Sequence, residues 1–183
     1  MSRTEVRISG FGGQGVALLG HMLANATTLD GKEAAQVETY AMQQRGGAVR
    51  SDVVVSEQEI DYPEITAADV IVAMSQEALD KNINYLKDGG ILIIDPLYVN
   101  TENVEKRAGR VYRIPATEIA KNELKNGMVV NVVMLGALAG ISGLVSEPSL
   151  KKAVAEGVPA KTLELNLKAL DRGLGEGRNA RPI

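Results

Sequence analysis

The chain has 183 residues, a net charge of −3 and 45% hydrophobic residues, which predicts one globular domain with a core of its own. The near-neutral charge and the scarcity of aromatic residues argue against a nucleic-acid-binding protein. Because the chain has no Cys and one His, disulfides, an iron–sulfur cluster held by this chain alone and a His-rich zinc site are excluded.

The hydrophobic pattern predicts strands that alternate with helices. Strands are predicted at residues 5–9, 33–39, 48–56, 69–74, 90–95 and 110–115. Helices are predicted at residues 15–29, 75–87, 116–125, 129–145, 148–156 and 162–174. This alternation indicates an α/β fold, a three-layer α/β/α sandwich with a largely parallel sheet, in a single domain over residues 1–175.

The strongly apolar segment 129–145 has two alternative interpretations. Its length is at the lower limit for spanning a membrane, and Gly136 and Gly140 form a G-x-x-x-G pair that in lipid would indicate helix dimerisation. We favour a buried helix whose glycines permit the close approach of a neighbour. The N-terminal segment has no signal-peptide hydrophobic region, so the expected location is the cytoplasm, without membrane attachment.

The C-terminal end differs in charge and glycine content. From Lys151 onward there are seven Lys or Arg and four Asp or Glu, a net charge of +3. This predicts either a solvated helix and tail or a surface that docks onto an acidic partner. The final segment GLGEGRNARPI is glycine-rich, and residues 176–183 are predicted to form a flexible tail.

The stretch GFGGQGV, residues 10–16, matches G-x-G-x-x-G between a predicted strand and a predicted helix. Glycines there allow a ligand to approach the backbone, and the helix N-terminus offers free N–H groups to an anion. The motif alone is weak evidence, because a tight turn without a ligand has the same letters.

A dinucleotide site also needs an acid at the end of the second strand, about 20 residues on. Glu33 lies at the start of that strand and Glu38 near its end, and neither decides the question. The chain lacks the G-K-[ST] of a nucleoside triphosphate loop.

A second glycine pair lies in QQRGG, residues 43–47. Its arginine offers a planar fork for a phosphate or carboxylate, and Arg50 would add a second cation if it faced the same way. The alternative is a surface turn with an exposed arginine. The candidate ligand-binding residues of the two loops are Gly10, Gly12, Gly13, Gln14, Gly15, Arg45, Gly46 and Gly47.

Three other polar residues are assigned no catalytic role. His21 is interpreted as a helix-surface or packed residue. Asp95 either faces the strand-end crevice or forms a turn. Asn131 either caps its helix or hydrogen-bonds across an interface. No catalytic or metal-ligating residue is assigned in this chain.

Five stretches in a fixed order resemble one known family. They are GFGGQGV (10–16), QRGGAVRSDVVVS (44–56), DVIVAMSQEAL (69–79), GGILIID (89–95) and NVVMLGAL (131–138). Together they resemble the gamma subunit of a 2-oxoacid:ferredoxin oxidoreductase, in the pyruvate/ketoisovalerate gamma-domain family, over nearly the whole chain. RSDVVVSEQEIDYPEI is most similar to the 2-oxoglutarate branch, and AMQQRGGAV is also similar to the indolepyruvate branch.

The resemblance implies a subunit of a cytoplasmic enzyme complex. Such a complex converts a 2-oxoacid and coenzyme A to acyl-CoA and carbon dioxide, and ferredoxin takes the electrons. The implied partners are the alpha and beta subunits, which bind thiamine diphosphate. Iron–sulfur clusters lie on the beta subunit or on a small ferredoxin-like delta subunit. The gamma subunit alone binds no cofactor and is expected to be inactive, and its glycine loops are expected to face the co-substrate coenzyme A or the partner subunits.

Two other functions stay open on the sequence. One is a stand-alone NAD- or FAD-binding oxidoreductase, and the other is a non-enzymatic nucleotide-sensing module. The scarcity of titratable catalytic candidates favours the partner-dependent subunit over both.

Overall fold

The computed structural model describes residues 3–40, 48–101 and 109–183. Within these ranges the strands are β1 (Arg3–Phe11), β2 (Glu33–Tyr40), β3 (Ala48–Ser56), β4 (Ala68–Ala73), β5 (Leu86–Ile94) and β6 (Arg110–Arg113). The helices are α1 (Val16–Leu29), α2 (Gln76–Asn82), α3 (Ala116–Glu118), α4 (Val130–Ser142), α5 (Glu147–Gly157) and α6 (Leu163–Asn179). Short 3₁₀ turns occupy Ile83–Tyr85, Gly127–Val129 and Ala160–Thr162, and a π-helical turn occupies Ile119–Glu123.

The six strands form one sheet in the order β2-β3-β1-β4-β5-β6. Strands β1, β4, β5 and β6 pair in parallel, whereas β3 runs antiparallel to both of its neighbours. The predicted α/β fold with a largely parallel sheet is therefore confirmed. Strand β3, which separates β1 from β2, is the exception to the parallel arrangement.

The two faces of the sheet are covered unequally. One face packs against α1, α4, α5 and α6 in the larger hydrophobic cluster, with Ile8 and Leu138 among its fully buried members. The other face carries a smaller cluster that includes Leu79 of α2 together with residues of the connecting loops, such as Ile65 and Val99. The layers are thus a thick helical layer, the sheet, and a thin layer of one short helix and loops.

A buried ion pair holds β3 against β1. Nε and Nη2 of Arg7 donate to the two carboxylate oxygens of Asp52, each at 2.8 Å. The two residues are direct partners in the β1–β3 register, and Tyr85 covers the guanidinium, 4.4 Å from the ring centroid. A bidentate pair in this position has one good geometry, so it fixes the register of the antiparallel strand.

Helices α4 and α6 contact each other through glycine backbones. A Cβ atom on Gly136 or Gly140 would lie under 3.0 Å from a backbone oxygen of α6, and one on Gly173 or Gly177 would lie under 3.0 Å from a carbonyl oxygen of α4. Each helix therefore presents its own G-x-x-x-G pair to the other. The interpretation of segment 129–145 as a buried helix is confirmed, and no helix in the described ranges is long and apolar enough to cross a membrane.

This contact corrects the predicted end of the last helix. Helix α6 continues to Asn179, five residues beyond the prediction, so residues 176–179 of the predicted flexible tail are helical. The glycines of GLGEGR predict mobility, but two of them, Gly173 and Gly177, face α4. Beyond the helix, the backbone N–H of Ile183 donates to the carbonyl oxygen of Val111 at 3.0 Å.

Strand β5 also differs from its prediction. It begins at Leu86 instead of residue 90, and α2 ends at Asn82. The pairing with β4 shifts between Ala68, which faces Leu86, and Val70, which faces Ile91. Gly89 lies in this irregular segment with a φ of 76°, so this glycine, which follows the predicted helix 75–87, marks an interruption inside a strand.

Substitution of Gly173 by Ala is expected to lower the free energy of unfolding by about 1–3 kcal/mol, because the new methyl group would overlap the backbone of α4. The matched control is Gly175→Ala in the same helix, where a Cβ meets nothing within 4 Å. That variant should gain about 0.5–1 kcal/mol from helix propensity. Urea unfolding of both variants tests the packing, and equal effects would contradict it.

Several cations of the basic C-terminal end form ion pairs within the chain. Lys151 pairs with Glu147 and Asp171, and Arg178 pairs with Glu147 as well. Arg172 pairs with Glu123 and Glu176. These pairs favour the solvated helix over a docking surface for an acidic partner.

The carboxylate of Glu147 should make stability depend on acid pH. Hydrogen bonds from Lys151 and Arg178 lower its pKa from 4.5 to about 2. Because the pKa in the folded state is the lower one, the stabilisation is present above pH 4.5 and is lost as the pH falls towards 2. Glu147→Gln should therefore be less stable than the wild type at pH 6 but equal to it near pH 2. Urea titrations at both pH values in low salt measure the difference, and a gap that persists at pH 2 would refute the assignment.

Candidate functional site

The first glycine loop joins β1 to α1 at the carboxyl end of β1. The N–H of Gln14 donates to the carbonyl oxygen of Phe11 at 3.1 Å, which closes a four-residue turn. Gly13 has a φ of 96°, a conformation that favours glycine at the third position of a type II turn. The loop is exposed at Gly12 and Gly13, so its backbone is accessible to a ligand.

The side chain of Gln14 stabilises this loop through two hydrogen bonds. Its Oε1 accepts from the N–H of Phe11 at 2.6 Å, and its Nε2 donates to the carbonyl oxygen of Met74 at 2.9 Å. A Cβ on Gly10 would lie under 3.0 Å from that Oε1, so glycine is required there to leave room for the amide. Gln14 links the ends of β1 and β4, and its side chain positions the loop.

Gly15 begins helix α1 under two constraints. Its φ is 72°, and a Cβ there would overlap the side chain of Asn131. The Nδ2 of Asn131 lies 3.5 Å from the carbonyl oxygen of Gly15, so Asn131 contacts the loop from α4, as the cross-interface interpretation predicted. No side chain caps α1, which leaves the N-terminal N–H groups of a 14-residue helix for an anion.

Arg45, Gly46 and Gly47 lie outside the described residues. The described residues that flank them are Tyr40, the last of β2, and Ala48, the first of β3. Ala48 pairs with Phe11, so the first described residue after this segment lies beside the first glycine loop.

Arg50 does not face the first loop. Its side chain lies near Asp52, with Nε 3.4 Å from Oδ2, and near the hydroxyl of Thr39. Arg50 therefore does not supply the second cation that the sequence predicted on the condition that it faced the glycine loops.

The strand order is incompatible with the geometry of a dinucleotide-binding site. In that fold the acid-bearing second strand lies next to the first, but here β3 separates β1 from β2. With strands about 4.8 Å apart, the end of β2 is displaced by one strand from the glycine loop. Glu38 hydrogen-bonds to Gln36 and Tyr40 on its own strand, and Glu33 lies at the far end of β2.

A crevice opens beside the glycine loop at the carboxyl ends of the parallel strands, where open α/β sheets bind ligands. A cavity of about 130 Å³ is lined by Gly13, Gln14, Tyr98, Lys121 and Met128, among others. Tyr98 also lines a neighbouring cavity of about 480 Å³ that contains Arg113. The Nζ of Lys121 lies 3.4 Å from the hydroxyl of Tyr98.

The two cations of the crevice have no acidic partner among the described residues. Lys121 lies on the π-helical turn after α3, a type of turn that occurs often at functional sites. Arg113 ends β6 and donates to the hydroxyl of Thr101 at 3.0 Å. Together with the loop amides they give the crevice positive charge, which is complementary to an anionic ligand.

Asp95 is buried and serves as a turn and capping residue. Its Oδ1 accepts from the N–H of Leu97 at 3.1 Å, and its Oδ2 accepts from the N–H of Thr117 at 2.8 Å. This side chain therefore holds the loop after β5 against α3. His21 is exposed on α1, in agreement with its interpretation as a helix-surface residue.

Sequence reasoning missed Tyr98, Lys121, Arg113 and Met128. They come from four separate segments, after β5, at the end of β6, in the π-helical turn after α3 and in the 3₁₀ turn before α4, and none belongs to a motif. The one signal in the sequence was Asp95, which follows a predicted strand whose end could face the crevice.

Several known proteins are similar to this chain. The family model described as pyruvate ferredoxin/flavodoxin oxidoreductase matches residues 5–176. The chain belongs to this family. The 2-oxoglutarate synthase subunit KorC of Methanocaldococcus jannaschii is 43% identical, with 93% of this chain and 92% of that protein covered.

Solved structures show the same likeness. The gamma subunit of the keto/oxoacid ferredoxin oxidoreductase from Geobacter sulfurreducens has a TM-score of 0.86 and 36% identity, over 97% of this chain and 98% of that one. The 2-oxoglutarate:ferredoxin oxidoreductase of Magnetococcus marinus, solved with 2-oxoglutarate, coenzyme A and succinyl-CoA bound, has a TM-score of 0.87 and 25% identity, over 97% of this chain but 31% of that one.

The predicted family is therefore confirmed, and the chain is a gamma-type subunit of a 2-oxoacid:ferredoxin oxidoreductase. Neither these relatives nor the position of β2 supports a stand-alone NAD- or FAD-binding enzyme or a nucleotide-sensing module.

Substitution of Gln14 by Ala should loosen the glycine loop. The amide of Phe11 and the carbonyl of Met74 would each lose a hydrogen bond, at an expected cost of about 1–2 kcal/mol in unfolding free energy. Amide exchange at Phe11 should accelerate in the same variant. Gln58→Ala, at an exposed position in the loop after β3, is the control and should change stability by less than about 0.5 kcal/mol. An unchanged rate of amide exchange at Phe11 would show that the side chain of Gln14 is not needed to stabilise the loop.

Proposed function

We propose that this subunit serves an oxidoreductase that decarboxylates 2-oxoglutarate with coenzyme A and passes the electrons to ferredoxin. The products are then succinyl-CoA and carbon dioxide. The proposal is supported by the full-length similarity to KorC of Methanocaldococcus jannaschii and by the ligands named for the Magnetococcus marinus enzyme.

The strand-end crevice is the proposed contact point for coenzyme A. The observation that carries this assignment is the uncapped start of α1 beside exposed glycines, with Lys121 lining the same cavity as Gly13. Coenzyme A carries a pyrophosphate and a ribose phosphate, and such groups are bound by helix N-termini, backbone N–H groups and cationic side chains. Among the ligand residues proposed from the sequence, Gly10, Gln14 and Gly15 support the loop. The proposed anion contacts are Gly12, Gly13, Arg45, Gly46 and Gly47.

The remaining chemistry is assigned to partner subunits. The chain has no Cys and so offers no thiolates for an iron–sulfur cluster. Thiamine diphosphate supplies carbanion stabilisation, and the alpha and beta subunits are proposed to hold it. The proposed contribution of this chain is to bind and orient the anionic co-substrate, within the cytoplasm and without membrane attachment.

The test is the coenzyme A dependence of the reconstituted complex, assayed with 2-oxoglutarate and a viologen acceptor. Lys121→Gln should raise the KM for coenzyme A about tenfold, equivalent to 1.4 kcal/mol, because a charge-assisted contact is lost. The KM for 2-oxoglutarate should stay constant. Lys152→Gln, which removes an exposed lysine from α5, should change neither value.

Arg45→Ala tests the second glycine loop in the same assay. A rise in the KM for coenzyme A supports its place at the crevice. An unchanged KM in both Arg45→Ala and Lys121→Gln would refute the assignment of the crevice to coenzyme A.

A further inference from the structure

Asp95 is a buried carboxylate that the proposed ligand contacts do not include. It directly follows β5 and is 1% exposed. Its carbonyl oxygen accepts from the N–H groups of Tyr98 at 3.1 Å and Val99 at 3.0 Å, and its carboxylate accepts from the N–H groups of Leu97 and Thr117. A buried carboxylate is tolerated only where hydrogen bonds replace its hydration. All four donors are backbone amides, so Asp95 fixes the position of chain segments.

The first of these segments is the turn that carries Tyr98. The bond from the N–H of Leu97 to Oδ1, two residues back along the chain, is the side-chain bond of an Asx turn. The two bonds to the carbonyl oxygen of Asp95 close the same turn through the backbone. Tyr98 lines both cavities of the crevice, so Asp95 ties one wall of the crevice to the end of β5.

The second segment is the helical stretch 116–123, which consists of α3 and the π-helical turn. No side chain of its own caps this stretch at Pro115. The Oδ2 of Asp95 accepts the N–H of Thr117 at 2.8 Å and thereby takes the place of a cap, since the first N–H groups of a helix have no partner within it. A negative charge is also favourable at this end of a helix. Lys121 lies four residues further on and lines the same cavity as Thr117.

We propose that Asp95 is a positioning residue for the crevice. Its single carboxylate joins the segments that carry Tyr98 and Lys121, whose Oη and Nζ atoms lie 3.4 Å apart, and so it sets where the cation lies relative to the glycine loop. Charge-assisted hydrogen bonds are short and directional, so a small displacement of Lys121 weakens its contact with an anion. The inference rests on the proposed function, in which that anion is coenzyme A.

The test variant is Asp95→Asn, which keeps the shape of the side chain but has one acceptor oxygen where the carboxylate has two. Amide exchange at Leu97 or Thr117 should accelerate. In the reconstituted complex the KM for coenzyme A should rise about fivefold, as expected for the loss of one hydrogen bond, and the KM for 2-oxoglutarate should stay constant. Asp95→Ser, whose hydroxyl can still accept one amide, is a second variant with the same expected result.

Asp30→Asn is the matched control. The two carboxylate oxygens of Asp30 accept from the N–H and the hydroxyl of Ser146, each at 2.6 Å, so this aspartate also joins two segments. It lies at the end of α1 opposite to Gly15. Asp30→Asn should be less stable than the wild type and should leave the KM for coenzyme A unchanged. An equal rise in KM in this variant would mean that any loss of stability has the effect, and would overturn the positioning role.

The double variant Asp95→Asn/Lys121→Gln tests whether Asp95 acts through Lys121. If it does, the KM for coenzyme A should rise about tenfold, as in Lys121→Gln alone, because coupled residues do not contribute independently. A rise equal to the product of the two single effects would overturn the proposal, and so would wild-type amide exchange at both Leu97 and Thr117 in Asp95→Asn. If exchange accelerates but Lys121→Gln leaves the KM unchanged, the coenzyme A assignment fails while the positioning of the two segments by Asp95 stands.

Discussion

The backbone contact between α4 and α6 is the constraint on which the rest of the structure depends. Two G-x-x-x-G pairs let the helices approach until carbonyl oxygens occupy the space of missing Cβ atoms. Helix α4 is thereby enclosed between α6 and the sheet, with ten of its 13 residues buried. This fixes its first turn, which carries Asn131 beneath Gly15 and follows Met128 at the crevice. The site is thus positioned from the core outward.

The glycine loop shows why a motif can predict a shape without predicting a ligand. Gly10 leaves space for the amide of Gln14, Gly13 adopts a positive φ, and Gly15 avoids Asn131. All three requirements are internal to the fold, so the letters G-x-G-x-x-G would be needed whatever anion is bound. What argues against a dinucleotide is β3, whose antiparallel insertion moves the end of β2 away from the loop. Arg7 and Asp52, which fix that insertion, carry no motif of their own.

Local pattern was sufficient for most elements and for the glycine turn, because periodicity and turn chemistry act within a few residues. Local pattern was insufficient where the structural role of a residue depends on a contact with an element that is distant in the sequence. The glycines of α6 resemble a flexible tail until α4 is placed against them, and Gly89 resembles a helix stop until β4 is paired with β5. Lys121 and Tyr98 meet across segments that only the sheet topology brings together. The direction of β3 likewise follows from pairing, which hydrophobic alternation does not encode.

The hydrogen bonds made by the polar side chains at the strand ends explain why the chain works as part of a complex. Asp95 and Gln14, the groups nearest the crevice that could orient a reacting atom, are already bonded to backbone amides and carbonyls. What faces the crevice from the described residues is positive charge at Lys121 and Arg113, and a guanidinium does not exchange its proton near neutral pH. Among the described residues, such a surface offers charged hydrogen-bond donors that suit an anionic ligand, which agrees with a chain whose relatives are subunits of larger enzymes.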